Sequence, residues 1–170
     1  MVDLLGPLGN GYTLPKPEHT CVVVGGGIGV PPLLAVAEHF GAKTTAILGF
    51  RSAQAAVLEK DFQKTGASTI LCTDDGTLGR NGFVTAALEE LLASEHPDCI
   101  CACGPMVMLK RVSEIAAAHS IPCQVSLEER MACGVGACLG CACKIRRDGG
   151  EVYLHVCKDG PVFSGEEVVF

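Results

Sequence analysis

Cys133, Cys138 and Cys141 are separated by four and then two residues, and Cys157 follows sixteen positions later. This is the plant-type ferredoxin spacing for a 2Fe–2S cluster. The chemistry needs four thiolates because each of two sulfide-bridged irons completes a tetrahedron with two cysteine sulfurs. Gly134, Gly136 and Gly140 lie among the candidate ligands. Glycine takes positive φ without a Cβ penalty, so such a loop can curl and aim backbone N–H groups at sulfur. Two other readings of the same residues are a zinc site and plain core thiols. Zinc knuckles come as paired C-x2-C, and only one such pair occurs here. Cysteine is also often just a small buried residue.

A second group of residues points to a nucleotide. An apolar run at 21–24 leads into Gly25-Gly26-Gly27-Ile28-Gly29, then Val30-Pro31-Pro32 and a helical stretch to about 40. Strand, glycine turn and helix open a dinucleotide-binding unit, in which the backbone approaches a pyrophosphate. A proline suits the first helical turn. The run differs from G-x-G-x-x-G, and no ribose-binding acid follows the second strand. A plain tight turn is the alternative. Arg51, beside Ser52, is a candidate for an adenosine ribose or a phosphate, or else a solvated surface charge. Asp75 and Gly76 fall in a loop at the C-terminal end of a strand, where open α/β sheets bind ligands. Cys103-Gly104-Pro105 places a thiol at another strand end, where a nicotinamide could lie beside it. Cys99 and Cys101 alternate with Cys103 onto one face and read as core.

These residues need a frame. Strands are expected at 21–24, 44–48, 68–72, 99–103 and 122–127, with helices at 30–40, 53–64, 82–93 and 104–119. Five strands alternating with helices imply an α/β fold, a five-stranded parallel sheet covered on both faces. Residues 1–19, rich in Gly and Pro, read as a connector; 20–125 as a nucleotide-binding domain; 126–170 as a cluster domain. In that last part short strands are expected at 143–145, 152–156 and 168–170, with turns at 148–150 and 159–161. So small a domain gains stability from a metal cluster.

The chain has 170 residues, 48% hydrophobic, and a net charge of −6. That is enough apolar material for a core, and the acidic balance argues against nucleic acid or an anionic membrane surface. Tryptophan is absent and aromatics are 5%, too few for a base-stacking surface. No run is long enough to span a membrane and no signal-peptide plan opens the chain. The eleven cysteines therefore read as reduced thiols of a cytoplasmic protein.

The glycine turn with Cys103-Gly104-Pro105 resembles the NAD(P)-binding half of the ferredoxin reductase family. Residues 126–138 and the run Val156-Cys157-Lys158-Asp159-Gly160-Pro161-Val162-Phe163 resemble one branch of it, as does the turn at 5–11. That branch is the electron-transfer subunit of class B, NAD-dependent dihydroorotate dehydrogenase. The resemblance covers essentially the whole chain. It implies a 2Fe–2S cluster on Cys133, Cys138, Cys141 and Cys157, with NAD and FAD as further cofactors. It also implies an FMN-containing catalytic subunit as partner in a heterotetramer, with the base that deprotonates dihydroorotate on that partner. No catalytic residue is then expected here, nor activity by this chain alone. The FAD-binding barrel of the family is missing from this chain, so residues 1–19 read as the connector from it. Sulfhydrogenase gamma chains and NADH-dependent ferredoxin:NADP oxidoreductase subunits share the plan. A non-enzymatic redox sensor is a further alternative, though a sensor has no need of a nicotinamide site.

Overall fold

The computed structural model describes Asp3 and residues 5–170. Its sheet grows outward from β1 (Cys21–Gly26), whose three consecutive valines are all buried. β-branched side chains suit a strand covered on both faces. On one side of β1 lie β2 (Thr44–Phe50), β3 (Ser68–Thr73) and the two-residue β4 (Arg80–Asn81), all parallel. On the other side lie β5 (Cys99–Cys103) and β6 (Cys123–Ser126), also parallel. A hairpin of β7 (Ala142–Arg147) and β8 (Gly150–His155) stands apart as a second sheet. The last strand, β9 (Val162–Ser164), returns to the main sheet antiparallel to β6.

The five expected strands are all present, but the sheet has seven, in the order β4-β3-β2-β1-β5-β6-β9. Both additions were too short for a periodic pattern to register. β4 is held by the pairing of Cys72 with Arg80 and of Thr73 with Asn81. In β9, Phe163 turns into the core opposite Val125, at a position expected to follow a turn. The piece expected at 168–170 reduces to a single bridge between Val168 and Ile145.

Four helices cover the faces: α1 (Leu34–Phe40), α2 (Glu59–Lys64), α3 (Val84–Leu92) and α4 (Met106–Ala118). α1 begins later than its sequence suggests. Two 3-10 turns, Gly27–Gly29 and Pro31–Leu33, come first. Similarly, Leu58 at φ 63° separates the 3-10 turn Ala53–Ala55 from α2. None of the described helices is long and apolar enough to cross a membrane.

Beneath α1, one face of β1 and β5 is lined by sulfur. Cys21, Cys99 and Cys101 are all buried, with Cys21 registered opposite Cys99. The Cys101 thiol is held well above the usual range by its contacts with the Cys21 and Cys99 thiols and by burial. Cys99 is held below it because the thiols of Cys101 and Cys21 donate to it.

The connector is pinned down from Asn10 onward; Met1, Val2 and Leu4 lie outside the described residues. Thr13 N–H donates to Gln124 Oε1 and Gln124 Nε2 donates back to Thr13 O, both at 2.8 Å. Tyr12 Oη donates to Ala102 O at 2.8 Å. Asn10 Nδ2 donates to Lys158 O at 3.2 Å and to Asp159 O at 3.1 Å.

A close backbone contact lies where the turn after β1 meets the turn after β5. A Cβ on Gly29 would fall on the carbonyl of Cys103 and the amide nitrogen of Gly104. Overpacking of this kind costs about 1–3 kcal/mol. Gly29→Ala is expected to lower the urea midpoint without changing the slope of the transition. Gly11→Ala, at a site with open space and no positive φ, is the control and should unfold like the parent.

Candidate functional site

The loop from Cys133 to Cys141 has no regular structure, and its shape comes from glycine. Gly134 and Gly136 adopt φ of 71° and 76°, conformations an L side chain rarely takes. The resulting curl turns amide groups inward. Ala137 N–H donates to Cys133 Sγ at 3.3 Å and Cys138 N–H donates to the same sulfur at 3.4 Å. Gly140 N–H donates to Cys138 Sγ at 3.4 Å. Cys157 arrives from the end of β8, buried like Cys141.

The thiols meet in pairs, Cys133 with Cys138 and Cys141 with Cys157. Backbone N–H groups, that of Val135 foremost and then that of Cys138, pull the Cys133 thiol down to about 6. A thiolate is the form that binds metal, so this loop prepares one ligand electrostatically. Burial has the opposite effect on Cys157, whose thiol is raised, with the Cys141 thiol beside it adding to the rise. Among the described residues no three of these four sulfurs close into a tight single-ion group. Two pairs suit a dinuclear centre, which takes two cysteines per iron, better than one tetrahedral ion.

The Cys143 thiol is engaged within the hairpin. It donates to Leu154 O at 3.6 Å across the β7–β8 hairpin, and burial pushes it up to about 11. His155 belongs to a different arrangement. Its N–H donates to Asp159 Oδ2 at 2.8 Å, and its Nδ1 lies 3.4 Å from the same oxygen.

At the C-terminal ends of β1, β2 and β5 the sheet opens into a crevice of about 840 Å³. That volume is in the range of cofactor pockets. Gly26, Gly27, Arg51 and Pro105 line it. Gly29 and Gly104 form the close contact between the two turns, where a Cβ on Gly104 would press on Met108 and Gly26; Gly25 packs instead on Val30 and Leu33. Cys103 is half-buried next to Ser126, and burial raises its thiol. Arg51 belongs to none of the ion pairs among the described residues, whereas Arg111, also at the crevice, is engaged by Glu89 and Glu114.

Two expected residues point elsewhere. The Asp75 carboxylate accepts from Thr77 N–H at 3.0 Å and from its hydroxyl at 2.6 Å, which holds it below the usual carboxylate range. Gly76 packs on Asn81. The acid facing the crevice is Asp74. Asp74, Phe83 and Met108 were not singled out from sequence. Met108 carried a readable signal, being on the first turn of the helix that Pro105 opens. The helix expected to present its N-terminus to a phosphate does not do so, because Pro31 and Pro32 carry no N–H and Val30 N–H is bonded to Gly27 O.

Comparison with known proteins places these features together. Residues 128–169 match the family model for the iron-sulfur cluster binding domain of dihydroorotate dehydrogenase B. The whole chain is 43% identical over 171 residues to the dihydroorotate dehydrogenase B (NAD(+)) electron transfer subunit of Caldanaerobacter subterraneus, covering 67% of that protein. Identity to its counterpart from Listeria welshimeri is also 43%, over 98% of this chain and 65% of the relative. The chain thus spans about two thirds of the length of these relatives. A solved structure of an NADH-dependent reduced ferredoxin-NADP oxidoreductase superposes with a TM-score of 0.82 at 31% identity, covering 99% of this chain and 60% of that one.

The thiols differ sharply in acidity, which is open to direct measurement on metal-free protein under anaerobic conditions. Cys133 should be alkylated by iodoacetamide fastest among the cysteines, with a rate rising through a midpoint near pH 6. Cys143 and Cys123, raised to about 11 and about 12, should stay unreacted in the folded chain. Peptide mapping after a short pulse at each pH reads both; a Cys133 midpoint above pH 8 would overturn the account.

Proposed function

The chain belongs to the family of electron transfer subunits of NAD(+)-dependent dihydroorotate dehydrogenase B, and from that premise we propose that it carries electrons from the FMN of a dihydroorotate-oxidising catalytic subunit to NAD⁺. The cofactors in this reading are a 2Fe–2S cluster on Cys133, Cys138, Cys141 and Cys157, FAD, and NAD in the crevice. The observation that carries it is the curled loop, whose amide groups point at sulfur and whose thiols meet two by two.

When bound, the cluster supplies one-electron transfer, while a flavin converts between one- and two-electron chemistry. The chain's own residues hold, orient and shield. Val135, Ala137 and Cys138 stabilise negative charge on Cys133 through their N–H groups. Of the residues lining the crevice, Gly26 and Gly27 would let a pyrophosphate approach the backbone, Arg51 would offer a cation to a phosphate or ribose, and Pro105, next but one to Cys103 in the chain, would lie on the nicotinamide side. No residue of this chain is asked to move a proton. The base for dihydroorotate belongs to the partner. In this reading the chain works as part of a cytoplasmic hetero-oligomer.

The cluster loop also supports a docking face. Leu139, between two ligands, is 75% exposed, and Met131 and Val135 are exposed beside it. No charged residue occurs from Met131 to Cys143. Charge depletion around exposed apolar side chains is what the core of an interface shows.

Anaerobically purified protein should hold about two irons and two sulfides per chain. Cys143→Ser should leave its visible spectrum unchanged, whereas stoichiometric zinc and no visible absorbance would refute the cluster. Leu139→Glu should also keep the spectrum. Because burying an unpaired carboxylate costs several kcal/mol, it should weaken association with the catalytic subunit and lower dihydroorotate:NAD⁺ activity, both measured with the complete electron-transfer subunit. A variant that binds and turns over like the parent would move the docking face elsewhere.

A further inference from the structure

Away from the cluster loop and the crevice, one further group of side chains has metal-binding chemistry. The Sγ atoms of Cys21, Cys99 and Cys101 all lie within 4.8 Å of one another. Their convergence is a product of strand pairing. Cys99 and Cys101 are two apart on β5 and therefore share a face, and Cys21 is registered opposite Cys99 on neighbouring β1. All three are free thiols, buried at relative exposures of 1%, 4% and 0%. No fourth histidine, cysteine or carboxylate joins them among the described residues.

We propose that Cys21, Cys99 and Cys101 form a binding site for one thiophilic d10 cation, with Cu(I) the occupant that fits the donor set. With metal–thiolate bonds of about 2.3 Å, a planar three-sulfur site needs sulfurs about 4.0 Å apart. Sulfurs that already lie within 4.8 Å of one another are compatible with that spacing. Soft thiolate donors select Cu(I). Zinc is disfavoured, since its structural sites take four protein ligands and its three-ligand sites keep a water. The thiol protons released on binding pass to solvent.

The site has a way in. Cys21 and Cys99 are the first residues of β1 and β5, at the edge of the sheet opposite the crevice. Cys99 S–H donates to Thr20 O at 3.9 Å, and the next groups outward are His19 and Asp98, with side chains 43% and 49% exposed. A cation entering there meets the Asp98 carboxylate first and the Cys99 sulfur behind it. Occupancy would tie together the two strands whose other ends carry Gly26 and Cys103.

The test uses full-length, cluster-loaded protein under anaerobic conditions. It is treated with one equivalent of Cu(I) and desalted in bathocuproine disulfonate; copper and iron are then counted per chain. One copper should be retained with no loss of iron. Cys21→Val and Cys101→Val, which keep strand-forming side chains in the core, should each abolish retention while keeping their iron. Copper X-ray absorption on the unmodified chain should show a shell of three sulfurs, a reading that stands even if a variant does not fold. No copper in the parent, equal copper in the variants, copper gained only as iron is lost, or a shell containing nitrogen or oxygen would each overturn the site.

Discussion

The molecule depends on a place where two pieces of backbone touch with nothing between them. The turn after β1 lies against the turn after β5, and a Cβ at Gly29 would fall on the Cys103 carbonyl. Next to this contact Gly26 and Pro105, both lining the crevice, lie against each other. From β5 the same geometry passes outward by strand pairing, to β6 and then to β9. β9 follows directly on the Cys157 segment. The crevice and the cysteine loop are therefore positioned by one continuous run of hydrogen-bonded strands.

The connector reinforces that run. Its residues cross the β5–β6–β9 side of the sheet, bonded to Ala102, to Gln124 and to the carbonyls of Lys158 and Asp159. The last two residues follow Cys157 immediately, so Asn10 restrains the backbone that delivers the fourth thiol. A stretch with the composition of a loop thus acts as a brace, because its backbone and side-chain polar groups found partners on the sheet.

Eleven cysteines in one chain respond to three different environments. Cys133 is surrounded by N–H donors and is acidic; Cys123 and Cys143 are desolvated and become poor acids. In the triad beneath α1 the thiols act mainly on each other. Amino-acid identity alone does not set the acidity of a thiol; the backbone amides facing its sulfur and the depth of its burial do, because an N–H favours the charged form and burial opposes it.

How much of this was readable in the chain follows from the range of each interaction. The spacing of Cys133, Cys138 and Cys141 is local, and its glycines belong to the same few residues, so this candidate site was legible in the sequence. The five longer strands, with their apolar runs between helical stretches, were legible for the same reason. Other features rest on partners far away in sequence. β4 and β9 exist only because β3 and β6 offer free edges. Asp74 rather than Asp75 faces the crevice because Thr77 captures the Asp75 carboxylate. The Cys21–Cys99–Cys101 group requires a register between residues 78 positions apart, and the Asn10 brace spans 149. Periodicity and spacing record which face a residue takes and how a loop curls; they carry no information on which distant strand lies alongside. That was decided by sheet register and backbone close approach, which exist only once the chain has folded.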